Sequence, residues 1–329
     1  MRAQLLPILA LAGMFALGAC GTSQPSADDD AAAADPQPIT LTDAADRTVE
    51  LDAPADRVVV LEWQQVEDVL TLGVEPVGVA DVEGYNTWDT AEELDPDTTD
   101  VGARGEPNMD AVFSTNPDLV IVEFERGSPL IRQLEKYDVP VLVTKGADAE
   151  DPIANMKATF TLIAQALGKE DKASEVLDAF DAHLADARQT IADADLETTE
   201  FAFIDAYLDG SNVSIRPFGQ GSLVGELGEA IGLTNVWKGD VDEAYGLGTT
   251  DVEGLTAIGD AHLFFTSTDA LTDAAGYEPW MPALEQNAIW RNAAFVEADR
   301  VHPFPSGVWT FGGPGSSQQV VDAFVDALT

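Results

Sequence analysis

The chain has 329 residues and sets 59 acidic side chains against 16 basic ones, a formal net charge of −43 at pH 7. A field of that sign repels phosphate, which excludes nucleic-acid binding as the main function. With 45% hydrophobic residues the chain can build globular cores, and its length suits about two domains of ordinary size.

Residues 1–19 read as a signal peptide, with Arg2 as the positive start and an apolar run from Leu5 to Leu17 that is short for a membrane span. The run ends Leu17-Gly18-Ala19-Cys20 before Gly21, which resembles a bacterial lipobox. In that class the chain is cut before the cysteine and the thiol is acylated. A chance cysteine behind an ordinary signal peptide is the alternative. The agreement of leader, tetrapeptide and a single cysteine in the whole chain favours lipidation at Cys20. Residues 20–38 are rich in Asp, Ala, Pro and Ser and read as a disordered tether. These features place the domain at the outer face of the cytoplasmic membrane, held by its lipid alone.

The remainder predicts an α/β fold. Residues 39–150 form a first lobe. Arg57 to Leu61, Pro76 to Ala80, Leu119 to Val122 and Val139 to Val143 read as buried strands, and helix-spaced residues such as Val66, Val69, Leu70 and Leu72 intervene. Ser128-Pro129 and Asp151-Pro152 mark helix starts, and Thr250 to Glu253 has the spacing of a capping box. Residues 151–195 form a helical block. Ile153, Met156, Phe160, Ile163 and Leu167 share one face, and Gly168 ends that helix. Ala173, Val176, Leu177, Phe180, Leu184 and Ile191 form a second stripe. A helix over 170–193 would be roughly 36 Å long and could act as a strut between two lobes, or be an ordinary surface helix. Residues 196–329 repeat the rhythm, with strands at 201–207, 262–266 and 294–298 and helices at 223–231, 252–258 and 316–328.

The residues of a catalyst are poorly represented. The three histidines, His183, His262 and His302, have no metal-ligand spacing. His183 reads as solvent-facing, His262 as structural, and His302 as a neighbour of the cleft. No Gly-x-Ser-x-Gly elbow occurs. Gly219 to Gly225 only loosely matches a dinucleotide turn, and an extracellular protein rarely meets NAD. Acids are so abundant that any proposed carboxylate pair would be arbitrary.

A binding cleft is better supported. Arg104 lies in Val101-Gly102-Ala103-Arg104-Gly105-Glu106-Pro107-Asn108, a turn-rich loop before a helix starting near Met109. Arg126 follows strand 119–123, at the strand end where α/β proteins place ligands. Trp309 and Phe311 sit in a glycine-flanked segment, and Tyr245 is a further loop aromatic. Rings can cover an apolar scaffold while a guanidinium donates fixed-geometry bonds to its oxygens. Plainer readings stay open: an Arg104–Glu106 salt bridge, a core position for Trp309, and a surface position for Arg216.

Three segments, Arg57 to Trp63, Leu72 to Asp81 and Val101 to Asn108, together with Gly307 to Gly313, resemble the iron-siderophore substrate-binding proteins of ABC importers, in particular the ferric-hydroxamate branch. The resemblance spans nearly the whole mature chain. It implies two α/β lobes with mainly parallel sheets joined by a long rigid helix, and a shallow cleft between them. Arg104 would contact hydroxamate oxygens around the iron. Tyr245, Trp309, Phe311 and Trp63 would line the cleft, with Arg126 and Arg216 as further ligand-binding candidates. Phe311 stands where the branch can carry Tyr, and Tyr245 where it can carry Trp. The first-lobe aromatic falls around Phe124. Asp110 and Glu229 align with acids that dock on the membrane permease.

The resemblance further implies a monomeric, non-enzymatic receptor without an intrinsic cofactor. Its iron is held by the siderophore, and its partners are an ABC permease with its ATPase. Ferric citrate, haem or a corrinoid are alternative cargoes. An extracytoplasmic hydrolase or a structural scaffold would be a different class.

Overall fold

The computed structural model describes residues 37–123, 129–210, 212–266 and 280–329. The leader, Cys20, Phe124, Arg126 and Ser128 lie outside the described residues.

An antiparallel pair, β1 (Ile39–Thr42) and β2 (Thr48–Leu51), precedes the first sheet. That sheet is parallel, in the order β4 (Gly78–Val79), β3 (Val58–Val60), β5 (Leu119–Glu123), β6 (Val141–Thr144). β3 is three buried valines and β6 is buried throughout, the continuous apolar pattern of strands covered on both faces. Helices α1 (Trp63–Thr71), α2 (Val82–Trp88), α3 (Met109–Ser114) and α4 (Leu130–Leu134) lie between the strands in sequence.

α5 (Pro152–Leu167) starts where Asp151 accepts from the Ala154 N–H at 3.0 Å and ends at Gly168, φ +63°. α6 (Glu170–Asp193) follows at once and runs 24 residues. Its buried residues divide between two cores. Ala173 belongs with the apolar residues under the first sheet, whereas Phe180, Ala187 and Ile191 pack with those under the second. One helix is thus shared by both lobes.

The second sheet has the order β11 (Val301–Pro303), β10 (His262–Phe265), β7 (Glu200–Asp209), β8 (Asn212–Phe218). β8 is antiparallel, and β9 (Thr234–Asn235) adds a short parallel pairing to β7. Helices α7 (Leu223–Ala230) and α8 (Val252–Leu255), a 3₁₀ turn at 256–258, α9 (Met281–Gln286), α10 (Ala288–Arg291), α11 (Ala294–Glu297) and α12 (Pro314–Leu328) complete the lobe. Among the described residues no helix is long and apolar enough to cross a membrane.

Three expectations are corrected. Residues 294–297 are helical, with Ala298 as the C-cap, its N–H bonded to Ala294 O at 2.9 Å. A short apolar run does not by itself distinguish strand from helix, and the true edge strand, Val301-His302-Pro303, hides behind its proline. Asp251, not Thr250, caps α8, accepting from Gly254 N at 3.0 Å. His183 is half-buried, its Nε2 2.9 Å from an Asp322 oxygen on α12.

α12 has no capping side chain of its own. Its free N–H groups go instead to Glu67 of α1, which accepts from Gly313 N at 2.8 Å, Ser316 N at 2.9 Å and Ser316 Oγ at 2.7 Å. Glu67 and its neighbour Asp68 are 0% exposed and Asp89 is 1% exposed. Burial pushes all three carboxyls upward, Asp89 to about 9. With three acids buried side by side, ionising them all is unfavourable, so the cluster holds protons above the ordinary carboxylate range.

Between the ordinary aspartate value of 3.8 and about 9, the folded cluster therefore binds more protons than the unfolded chain. Its contribution to stability is largest at acid pH and is lost progressively as pH rises through that window. Above the range in which the half-buried histidines His262 and His302 titrate, the Tm should accordingly fall between pH 7 and pH 9, and Asp68→Asn should flatten the fall. A Tm that rises over this range, or an unchanged slope in Asp68→Asn, would contradict the buried-acid assignment.

Candidate functional site

The carboxyl ends of both sheets meet at a cavity of about 340 Å³. From the first lobe come Glu62 and Gln64 after β3, Glu123 at the end of β5, Gly146 after β6, and Arg104. From the second come Arg216 on β8, Tyr245 and Leu247, and Trp309 and Phe311 after β11. A second cavity of about 270 Å³ shares Arg104, Arg216, Trp309 and Phe311 and adds Trp63, Trp88 and Asp205. These four shared side chains form a partition between two chambers of one interlobe cleft.

The Arg104 loop is a tight turn. Gly102 has φ +101° and bridges Pro107 in antiparallel fashion, Asn108 N donates to Val101 O at 2.7 Å, and the Asn108 side chain caps α3. A Cβ on Gly102 would meet Asn108 N at 3.0 Å, so the turn needs glycine for space as well as for φ. The guanidinium lies with Cζ 3.8 Å from the Trp63 ring centroid and 5.8 Å from that of Trp309. Its ion-pair partner is Glu62, 2.5 Å from Nη1, in place of the Glu106 considered from sequence.

The rings form a chain. Trp63 and Trp309 meet edge-to-face with centroids 5.0 Å apart, Trp309 and Phe311 at 5.3 Å, and Phe311 and Tyr245 at 5.8 Å. Such edge contacts favour the ring quadrupoles and stiffen the wall. Trp63 is itself buried, at 4% exposure, so it supports Arg104 from below, while Trp309 and Phe311 are half-buried at the surface of the cleft. On the far side of Phe311, Arg216 lies 5.8 Å from its centroid and pairs with Asp205, Nε to Oδ1 2.9 Å.

Tyr245 is aimed by its own loop. The Asp242 carboxylate accepts from Ala244, Tyr245 and Leu247 N–H at 2.8, 2.7 and 3.0 Å. Burial works against the charge on Asp242, yet these bonds hold its pKa below the usual value. The Gly219–Ser222 turn underlies this loop, with Gly219 N bonded to Gly246 O at 2.9 Å. That packing gives the glycine-rich stretch a structural role. The Tyr245 hydroxyl donates across the cleft to Glu123 Oε1 at 2.7 Å, and burial with Glu123 beside it pushes the phenol well above its ordinary range.

Sequence reasoning therefore named Arg104, Trp63, Trp309, Phe311, Tyr245 and Arg216, and the structure brings all six together. Arg126 lies outside the described residues. His302 lines neither chamber. Its Nε2 is 2.9 Å from His262 Nδ1 and its ring stacks on Phe264, and burial lowers both imidazoles, His262 to about 4. Asp110 is exposed in the first turn of α3 and Glu229 half-buried near the end of α7. Glu62, Glu123 and Asp205 were missed. Reading the last residue of strand 119–123 would have flagged Glu123, and inspecting the end of the 57–61 strand would have flagged Glu62. Among the described residues no cluster of three His, Cys, Asp or Glu is arranged to hold a metal ion.

Residues 58–243 match the model of the family described as Periplasmic binding protein. The chain belongs to that family. Its members are substrate-binding proteins and not enzymes. Two relatives come from Bacillus subtilis (strain 168). The probable siderophore-binding lipoprotein YfiY is 26% identical over 92% of this chain and 90% of its own. The Fe(3+)-citrate-binding protein YfmC is 31% identical over 80% and 77%. The fold is that of the solved Fe3+–Desferal-bound siderophore-binding protein FhuD from Vibrio cholerae, with a TM-score of 0.71 at 22% identity, covering 83% of this chain and 97% of that one. These two-lobed proteins match the architecture described above.

Gly146 approaches Glu123 so closely that a Cβ would lie 2.1 Å from the carboxyl carbon. Gly146→Ala should displace Glu123 from Tyr245 and lower the phenol's pKa towards its ordinary value, with burial still holding it raised. Absorbance titration of the phenolate checks this, and a Tyr245 titration identical to wild type would contradict the packing.

Proposed function

We propose that this protein captures a ferric siderophore outside the cytoplasmic membrane and delivers it to an ABC importer. The observation that carries the reading is the convergence of two guanidiniums and a chain of aromatic rings, drawn from both lobes, on one open cleft. Rings suit the organic scaffold of a chelate, and guanidiniums suit its metal-bound oxygens. The iron arrives already chelated, so the cleft has only to recognise the outer surface of the complex.

Within this reading Arg104 and Arg216 donate to chelate oxygens, and Trp309, Phe311 and Tyr245 pack against the scaffold. Trp63 holds Arg104 in place, and Arg126 remains a candidate ligand contact from its place in the sequence after β5. A hydroxamate chelate is the proposed cargo, in keeping with the resemblance of the 101–108 loop to the ferric-hydroxamate branch. The YfmC relationship favours ferric citrate as the second reading. Asp110 and Glu229, one on each lobe, are the proposed contacts to basic residues of the permease, with its ATPase beyond. Acylation at Cys20 provides the anchor, 20–38 the tether, and the receptor acts as a monomer. The lobes of 39–150 and 196–329 are joined through 151–195, and because α6 is packed into both cores, closure on ligand is small.

Trp309 would lie against the iron complex, so intrinsic fluorescence should quench on titration with the cognate ferric chelate. Arg104→Ala should weaken that binding by about 1–3 kcal/mol, the range for hydrogen bonds to a charged group with its desolvation penalty. A panel of hydroxamate, catecholate and citrate complexes decides the cargo. Absence of quenching by every member, or undiminished affinity in Arg104→Ala, would reject the assignment.

A further inference from the structure

We infer that Glu62 and Asp205 act as charge filters, making the cleft selective for ferric chelates that carry no net negative charge. The inference rests on the receptor reading above and goes further, because it sets the charge class of the ligand from the charge balance of the walls.

Neither guanidinium stands alone. Arg104 is paired with Glu62 in the first lobe and Arg216 with Asp205 in the second. Glu123 adds a third carboxylate, hydrogen-bonded to Tyr245 in the chamber that Glu62 also lines, while Asp205 lines the adjoining one. The described walls thus hold two cations against three anions. The whole chain, at −43, adds a repulsive long-range field for anions.

Arg104 still has N–H groups to offer beyond its bond to Glu62. A guanidinium carries five, and its carboxylate occupies only part of that fork. Metal-bound oxygens of a neutral chelate can accept from the remainder without disturbing the ion pair. Three hydroxamates offset the charge of ferric iron and meet this requirement. A ferric tris-catecholate would bring three net negative charges into a cleft whose walls carry Glu62 and Asp205. The arginine charge that would compensate it is already spent on those acids, and like charges juxtaposed in a partly desolvated cleft are strongly unfavourable. The two pairs stand on opposite lobes, so the filter acts on both sides of the ligand.

The test is fluorescence titration of wild type, Glu62→Gln and Asp205→Asn with three probes: the cationic ferric complex of Desferal, its neutral N-acetyl derivative, and a trianionic ferric tris-catecholate. Both substitutions preserve shape while removing charge, and either suffices if the other fails to fold. Wild type should bind the cationic and neutral probes at least about tenfold tighter than the trianion, and each variant should narrow that gap by about threefold or more. High salt should narrow it as well. Equal or tighter wild-type binding of the trianion would overturn the inference alone, leaving the receptor reading in place. So would a variant that shifts all three affinities by the same factor. Binding of none of the three would overturn the filter, and if ferric citrate also fails to bind, the receptor reading with it.

Discussion

The carboxylate of Glu67, sealed beneath the first turn of α12, ties the cleft together. It supplies a cap that α12 lacks, accepting from two backbone N–H groups and a hydroxyl 246 and 249 positions along the chain. Glu67 stands one helical turn beyond Trp63 on α1, and its donors stand just beyond Trp309 and Phe311. A single buried acid therefore sets the spacing between the aromatic that supports Arg104 and the aromatics that face it. Thr90 reinforces the tie, with its N–H and hydroxyl both 3.0 Å from Gly307 O at the start of the same loop. Removing such a group would leave a helix terminus buried without partners, which is costly.

The second constraint is α6. Its N-terminal turns belong to one core and its later turns to the other, so neither lobe can rotate far without unpacking Ala173 or Phe180. Rigid lobes with walls preset by Asx turns, ion pairs and edge-to-face rings suit a receptor that recognises a bulky, inflexible chelate. Little ordering remains to be done on binding, and preorganisation of this kind improves affinity without further contacts.

Much of this was legible in the chain. The valine-rich strands, the Asp151-Pro152 start, the Gly168 stop and the two apolar stripes of 152–194 are local signals, and the structure follows them. Arg104 and Trp309 stood out because basic residues and tryptophans are scarce here. The acids did not stand out for the opposite reason. Among 59 carboxylates, nothing local separates Glu67 or Asp89 in a sealed interior, or Glu62 and Asp205 beside arginines, from those in solvent. Their roles arise from contacts spanning 11 to 249 positions, which no window of sequence contains. His302 was misplaced because its neighbours in sequence are aromatic, whereas its neighbour in space is His262 across the sheet. Residues 294–298 were misread because two apolar residues, Phe295 and Val296, between alanines satisfy either period.

Locating the metal itself tests the central claim most directly. In crystals grown with a ferric trihydroxamate, anomalous scattering at the iron edge should place the metal in the cleft between Arg104 and Tyr245, beside Trp309, with every coordinating atom belonging to the chelate. Iron bound directly by Glu62, Glu123 or Asp205, or an iron peak outside the cleft, would contradict the account.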